Sequence, residues 1–205
     1  MDTLIEWLGG EAKTISFAIL AGVVGFLTKS FYDLYVTRRK DKLDRVNQQL
    51  RLLYGPLYAL NATAHQAWSA FRFRVRPGRV FFEPESPPTE AELAAWRLWM
   101  LTVFRPLHDE MVSVICKNAD LFEEDDLPTA LQIFLAHVAA YKVVFERWEQ
   151  NDFSEHTSIV NYPAQPLQMY LSDTYRACKA EQRRFLGRSW IRGVREIEEV
   201  PESYA

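Results

Sequence analysis

The sequence predicts an all-α protein in which a single N-terminal transmembrane helix precedes a four-helix, bundle-like domain with long kinked helices. Three observations predict it. Residues 15–28 are an uncharged, mostly apolar run, Lys and Arg crowd positions 38–45, and four long stretches downstream repeat apolar residues at helical steps of three and four. The 205 residues, 48% hydrophobic and 14% aromatic, supply one sizeable core once the anchor is set aside. The expected organisation is an extracytoplasmic N-terminus at 1–13, a transmembrane helix at 14–36 and a cytoplasmic helical domain at 37–205.

The run does not read as a cleaved secretory signal. Asp2, Glu6 and Glu11 precede it with only Lys13, whereas such a signal needs a positive start and a small-x-small cleavage site. Continued through Phe31, Tyr32, Leu34, Tyr35 and Val36, the helix covers residues 14–36, roughly 34 Å at a rise of 1.5 Å per residue, enough to span. Lys29 lies near the inner end, where its stem carries the ammonium toward the headgroups, and Tyr32 and Tyr35 suit the aromatic belt. Arg38, Arg39, Lys40 and Lys42, with Arg45, place the body on the cytoplasmic side of a bacterial inner membrane and attract anionic lipid. Small residues four apart, Ala18 with Gly22 and Ala21 with Gly25, form a helix–helix face compatible with a homo-oligomer. Trp7 with Leu4, Ile5 and Leu8 suits a short interfacial turn.

In the body, Leu43, Val46, Leu50, Leu53, Leu57, Leu60, Ala64, Ala67 and Phe71 trace one seam, and Pro56 inside it predicts a kink, because proline removes a donor and crowds the preceding turn. Residues 76–88, rich in Pro and Gly, read as a loop tacked down by Val80, Phe81 and Phe82. Thr89 and Glu92 form a capping box, so the second helix starts there and continues through Trp96, Trp99, Met100, Val103, Leu107, Met111 and Val114, with a second kink at Pro106. The acidic connector Asp120–Asp126 ends it and is expected to place carboxylates at the start of the next helix, where the dipole favours them. That third helix carries Leu131, Phe134, Leu135, Val138, Tyr141, Phe145 and Trp148. A second loop, 151–166, has at most a short extended piece at Ile159-Val160. The fourth helix carries Leu167, Leu171, Thr174, Cys178 and Phe185.

A formal charge of −3 speaks against a nucleic-acid binder, which needs clustered uncompensated cations. Cys116 and Cys178 lack metal or redox spacing and read as reduced thiols. His65, His108 and His137 fall on three helices, each one position beside a seam residue (Ala64, Leu107, Val138), and the Glu-x-x-His pairs of di-metal bundles are missing, so no metal or cofactor is expected. His108-Asp109-Glu110 reads as rim, because adjacent helix residues point apart. No nucleophile elbow or phosphate loop occurs. Arg72, Arg74, Arg76 and Arg79, interleaved with Phe71, Phe73 and Phe81, make a patch for a cytoplasmic protein partner or for the acidic 120–126 connector of this chain or a neighbouring copy. Arg188–Arg195, mixing Arg with Trp190 and Ile191, suits the inner leaflet, a partner or the body itself.

Leu52-Leu-Tyr-Gly-Pro-Leu-Tyr58, Leu135-Ala-His-Val-Ala-Ala-Tyr141 and Phe153-Ser-Glu-His156 together resemble small bacterial proteins, uncharacterised as a group, that have one N-terminal membrane span. The resemblance covers most of the chain, implies an inner-membrane location and assigns no reaction. The expected function is a membrane-anchored helical interaction or scaffold protein without catalytic activity. The alternatives are an oligomeric membrane-perturbing effector in stress or phage defence, and an enzyme, which would require a concave polar pocket with perturbed titratable groups.

Overall fold

Two prolines interrupt helical repeats, and the chain accommodates both in the same way. In the computed structural model, which describes the backbone of residues 2–187 and the side chains of residues 23–187, helix α1 (Asp2–Gln48) passes into a π-helical segment (Gln49–Tyr54) and then α2 (Gly55–Val75). Helix α3 (Glu90–Trp99) likewise passes into a π segment (Met100–Phe104) and then α4 (Arg105–Lys117). Pro56 and Pro106 follow directly in the first turns of α2 and α4. The Gly55 N–H donates to the Leu50 carbonyl and the Arg105 N–H to the Met100 carbonyl, five residues back in each case. The wider turn makes room for a ring that would meet the carbonyl four residues earlier in an α-helix. Thus the expected kinks are π segments. Gly55 is required by the first, since a Cβ there would collide with the Leu50 carbonyl oxygen.

The π segments also change which residues face inward. More residues per turn keep a step of four in phase, so the buried positions are Gln49, Leu53, Leu57 and Asn61 on one strand of the hairpin and Trp96, Met100, Phe104 and His108 on the other. Leu50, Leu60, Val103 and Leu107, expected on the seam, are only partly buried.

After a 3₁₀ turn (Ala119–Leu121) come α5 (Thr129–Glu149) and α6 (Ala164–Phe185). Helix α2 packs against α4 and α6, and α5 packs against the same two, which closes a four-membered helical ring. Its interior divides into two apolar clusters. One holds Leu53, Leu57, Met111, Phe134, Leu167 and Leu171, and the other holds Phe71, Phe81, Trp96, Met100, Phe104 and Trp148. Among the described residues the chain is all-helical, with no strand beyond an isolated bridge between Glu83 and Ser86.

The Thr89–Glu92 capping box forms, with the Thr89 N–H donating to Glu92 Oε2 (2.6 Å) and the Glu92 N–H to Thr89 Oγ1 (3.3 Å). The acidic connector behaves differently from expectation. Pro128 precedes α5 and no carboxylate enters its first turn. The connector is instead held through its carbonyls: Arg45 donates to Asp120 O (3.4 Å) and Phe122 O (3.3 Å), and Gln49 Nε2 to Leu121 O (2.9 Å). Of the residues expected to tack down the 76–88 loop, only Phe81 is buried, while Val80 and Phe82 remain exposed.

The chain divides into two units, Met1–Asp44 and Arg45–Ala205. The second unit begins just before Val46, the first buried apolar side chain of the body. In the first unit Val23, Val24, Phe26, Leu27, Phe31, Tyr32, Leu34, Tyr35 and Val36 are all exposed, and at 100° per residue they cover most of the helix circumference apart from a strip that carries Lys29 and Asp33. Among the residues described in full, no helix is long and apolar enough to cross a membrane. Residues 14–22 of the expected span, including Ala18, Ala21 and Gly22, lie outside them, as do Trp7 and the Arg188–Arg195 segment.

Candidate ligand-binding cavity

The two apolar clusters part where polar residues fall on the inward positions. Asn61 follows Leu57 by one four-residue step, His108 follows Phe104 in the same way, and His137 lies between Phe134 and Tyr141 on α5; all three are buried. Between them is a cavity of about 320 Å³. Its walls include the rings of Trp68, Phe82, Trp96, Phe104, Tyr141 and Tyr162, with Ala64 and Met100 filling between them. Among the described residues, no Asp, Glu, Lys or Arg lines it.

One side is closed by the 151–163 loop, which has no regular hydrogen-bonding ladder and is held by side-chain donors from the helices. Trp148 Nε1 donates to Glu155 O (2.8 Å), while Trp96 Nε1 (2.9 Å) and the Tyr141 hydroxyl (3.0 Å) both donate to His156 O. Aromatic side chains with one polar edge suit this position, because they bury a ring and satisfy a loop carbonyl at once. The Tyr162 hydroxyl donates to Asn61 Oδ1 (3.2 Å), tying the loop back to α2.

His137 Nδ1 lies 2.6 Å from the Val160 carbonyl oxygen. A carbonyl only accepts, so Nδ1 carries the hydrogen, and in the neutral ring Nε2 keeps a lone pair. Burial pushes the His137 pKa down, which favours this neutral form. His108 stacks on Tyr162 (centroids 5.3 Å apart, planes 14° apart), meets Phe134 edge-on at 5.5 Å and lies 6.1 Å from the His137 ring. Burial, and secondarily the neighbouring His137, pulls its pKa down to about 4. Neither His108 nitrogen has a hydrogen-bond partner among the described residues. Burial also raises the Tyr162 hydroxyl to about 12. The two buried imidazoles of the cavity, His108 and His137, thus favour their neutral forms, and Asn61 lies beside them on the wall.

The Ser158 hydroxyl donates to the His137 backbone carbonyl (3.4 Å), not to its ring, so no base activates it. Among the described residues, no carboxylate orients either imidazole. Among the described residues, no group of three or more His, Cys, Asp or Glu is placed to hold a metal ion.

The histidines are where the sequence reading misjudged the site. His108 was expected at the rim and His137 just off the seam, but both are buried cavity residues, whereas His65 lies at the mouth and is exposed. The available signal was the four-residue spacing of Trp96, Met100, Phe104 and His108 across a proline. The expected lipid-contact residues Lys29, Tyr32, Tyr35, Arg38, Arg39, Lys40 and Lys42 are all exposed on α1, and Gly25 faces open space. The Arg72–Arg79 patch is largely occupied internally. Arg76 is buried, pairs with Glu92 (3.2 Å) and donates to Ser86 O and Oγ; Arg72 donates to Arg79 O (3.2 Å) and Arg79 to Ser86 Oγ (3.1 Å). These arginines cross-link the loop that follows α2, and Arg74 is exposed. No known protein family, curated protein or solved structure matches the chain.

Proposed function

We propose that this protein is a membrane-anchored helical interaction module, tethered by residues 14–36 to the inner face of a bacterial cytoplasmic membrane and acting by recognition, not catalysis. The observation that carries the reading is the exposure of large apolar side chains all round α1 between Val23 and Val36, ending in the cationic stretch Arg38–Lys42. A helix that exposes this many large apolar side chains over most of its circumference needs a nonpolar surrounding, and a cationic end matches the cytoplasmic leaflet. The uncharged cavity of the body, with no activated nucleophile, supports a binding role. Alkaline extraction of membranes tests the tether. The full chain is expected in the pellet, and Phe26→Asp with Leu27→Asp, each costing about 3 kcal/mol in a bilayer centre, should release it. Recovery of the unaltered chain in the supernatant would overturn the reading.

An oligomeric membrane effector is the second reading, favoured by the open space at Gly25 and the exposed Lys29 on the same helix. The mass of the full chain in mild detergent separates the two. A monomer supports a simple tether, and a defined oligomer supports the effector.

A further inference from the structure

The cavity differs from an ordinary packing defect in size and lining. At about 320 Å³ it lies at the lower end of the range that small-molecule sites occupy, roughly 300–1,000 Å³. Ordered water is a poor occupant, because each molecule needs two to four polar partners and most of the wall is aromatic carbon. Nor does the wall suit a charged guest. Among the described residues no Asp, Glu, Lys or Arg lines it, so neither an anion nor a cation meets a side chain of opposite charge there.

What remains is a neutral guest with a flat apolar body, for which Trp68, Trp96, Phe104 and Tyr162 offer ring faces and edges. Its polar edge is specified by what the protein leaves unused. His137 Nδ1 is committed to Val160, which leaves Nε2 as an acceptor without a protein partner on a residue that lines the cavity, and the nitrogens of His108, which lines it too, have none among the described residues. We propose that this cavity binds a small, neutral, planar ring compound carrying an N–H or O–H donor on its edge, accepted by Nε2 of His137. A guest seated over Nε2 without a donor would close that acceptor off from any partner, which is costly, so the site discriminates in favour of a ring that brings the donor. The inference stands whether or not α1 enters a bilayer, and its failure would leave the tether untouched.

Indole is the first probe, and benzofuran, which has the same shape with oxygen in place of N–H, is its control. Titration calorimetry of the full chain in mild detergent should show saturable one-to-one binding of indole at least tenfold tighter than that of benzofuran, with no saturable binding of benzoate or phenyltrimethylammonium. With methionine methyl groups labelled, indole protons should show a nuclear Overhauser effect to Met100, which lines the cavity and is buried. Gln168→Trp, a change at an exposed position of the mouth, should weaken indole at least tenfold. Absence of saturable indole binding, equal affinity for benzofuran, preference for either charged probe, or bound indole without contact to Met100 would each overturn the proposal.

Discussion

Replacing His108 by Phe should flatten the acid side of the protein's stability profile. In the folded chain His108 holds its neutral form down to a pKa of about 4, against an ordinary value near 6.5, because it is buried among Phe104, Phe134 and Tyr162 and faces His137. Between those two pH values the unfolded chain takes up a proton that the folded chain refuses, so the unfolded state binds more protons and stability falls as pH falls. With 1.36 kcal/mol for each unit of difference, the complete effect is about 3 kcal/mol, of which about 2 kcal/mol is already lost at about pH 5. For a domain of this size that corresponds to a drop in Tm of about 4–8 °C. His137, also held neutral by burial, adds in the same sense. The hydrogen-bonded carboxyls of Glu90, Glu92 and Asp152 are held below their usual range and act mainly at still lower pH. Phe preserves the stack on Tyr162 and has no proton to gain. Melts followed by circular dichroism at about pH 7.5 and about pH 5 should therefore show a Tm loss for the variant smaller by about 4–8 °C. An equal loss in both proteins would refute the argument, because His108 would then be titrating as freely in the folded chain as in the unfolded one.

Three further outcomes are expected. Gly55→Ala, which would gain up to about 1 kcal/mol in an ordinary helix, should instead destabilise by more than that, since its Cβ meets the Leu50 carbonyl; a raised denaturation midpoint would contradict the π turn. Arg76→Ala should cost about 2–3 kcal/mol in chemical denaturation by leaving Glu92 and the Ser86 carbonyl without their partner, while Arg74→Ala at an exposed site should stay within about 0.5 kcal/mol; equal effects would contradict a structural role for Arg76. Under the effector reading, Lys29→Leu should change ion leakage from cells or loaded vesicles while the melt of the body is unaltered, and unchanged leakage counts against that reading.

Much of the architecture was legible because it rests on local rules. The Thr89–Glu92 box located a helix start directly, and the aromatic stripe Phe134, Tyr141, Phe145 and Trp148 named the inner face of α5 before any packing was known. The site was less legible for one physical reason. A uniform α-helical repeat misplaces the inward face, because each π segment, placed just before a proline, holds extra residues in its turn. That shift moves Gln49, Asn61 and His108 inward in place of Leu50, Leu60 and Leu107. Three polar residues thereby enter an interior that an α-helical wheel reads as uniformly apolar. His137 escaped notice differently: its burial depends on the Val160 carbonyl, supplied by a loop whose path no short-range pattern specifies. The internal ties of the arginine patch are not legible in the sequence, because composition reveals charge but not the carbonyls of Ser86 and Arg79 that accept from it.

The most direct test of the central claim, a body held at the inner face of the membrane, uses the chain's own thiols. Cys116 is exposed on α4 and Cys178 is buried, so a membrane-impermeant maleimide reports on the body through Cys116. In membrane-bound protein from intact spheroplasts Cys116 should remain unmodified, and it should react fully in inside-out vesicles. Labelling in intact spheroplasts, or recovery of the chain outside the membrane fraction, would contradict the account.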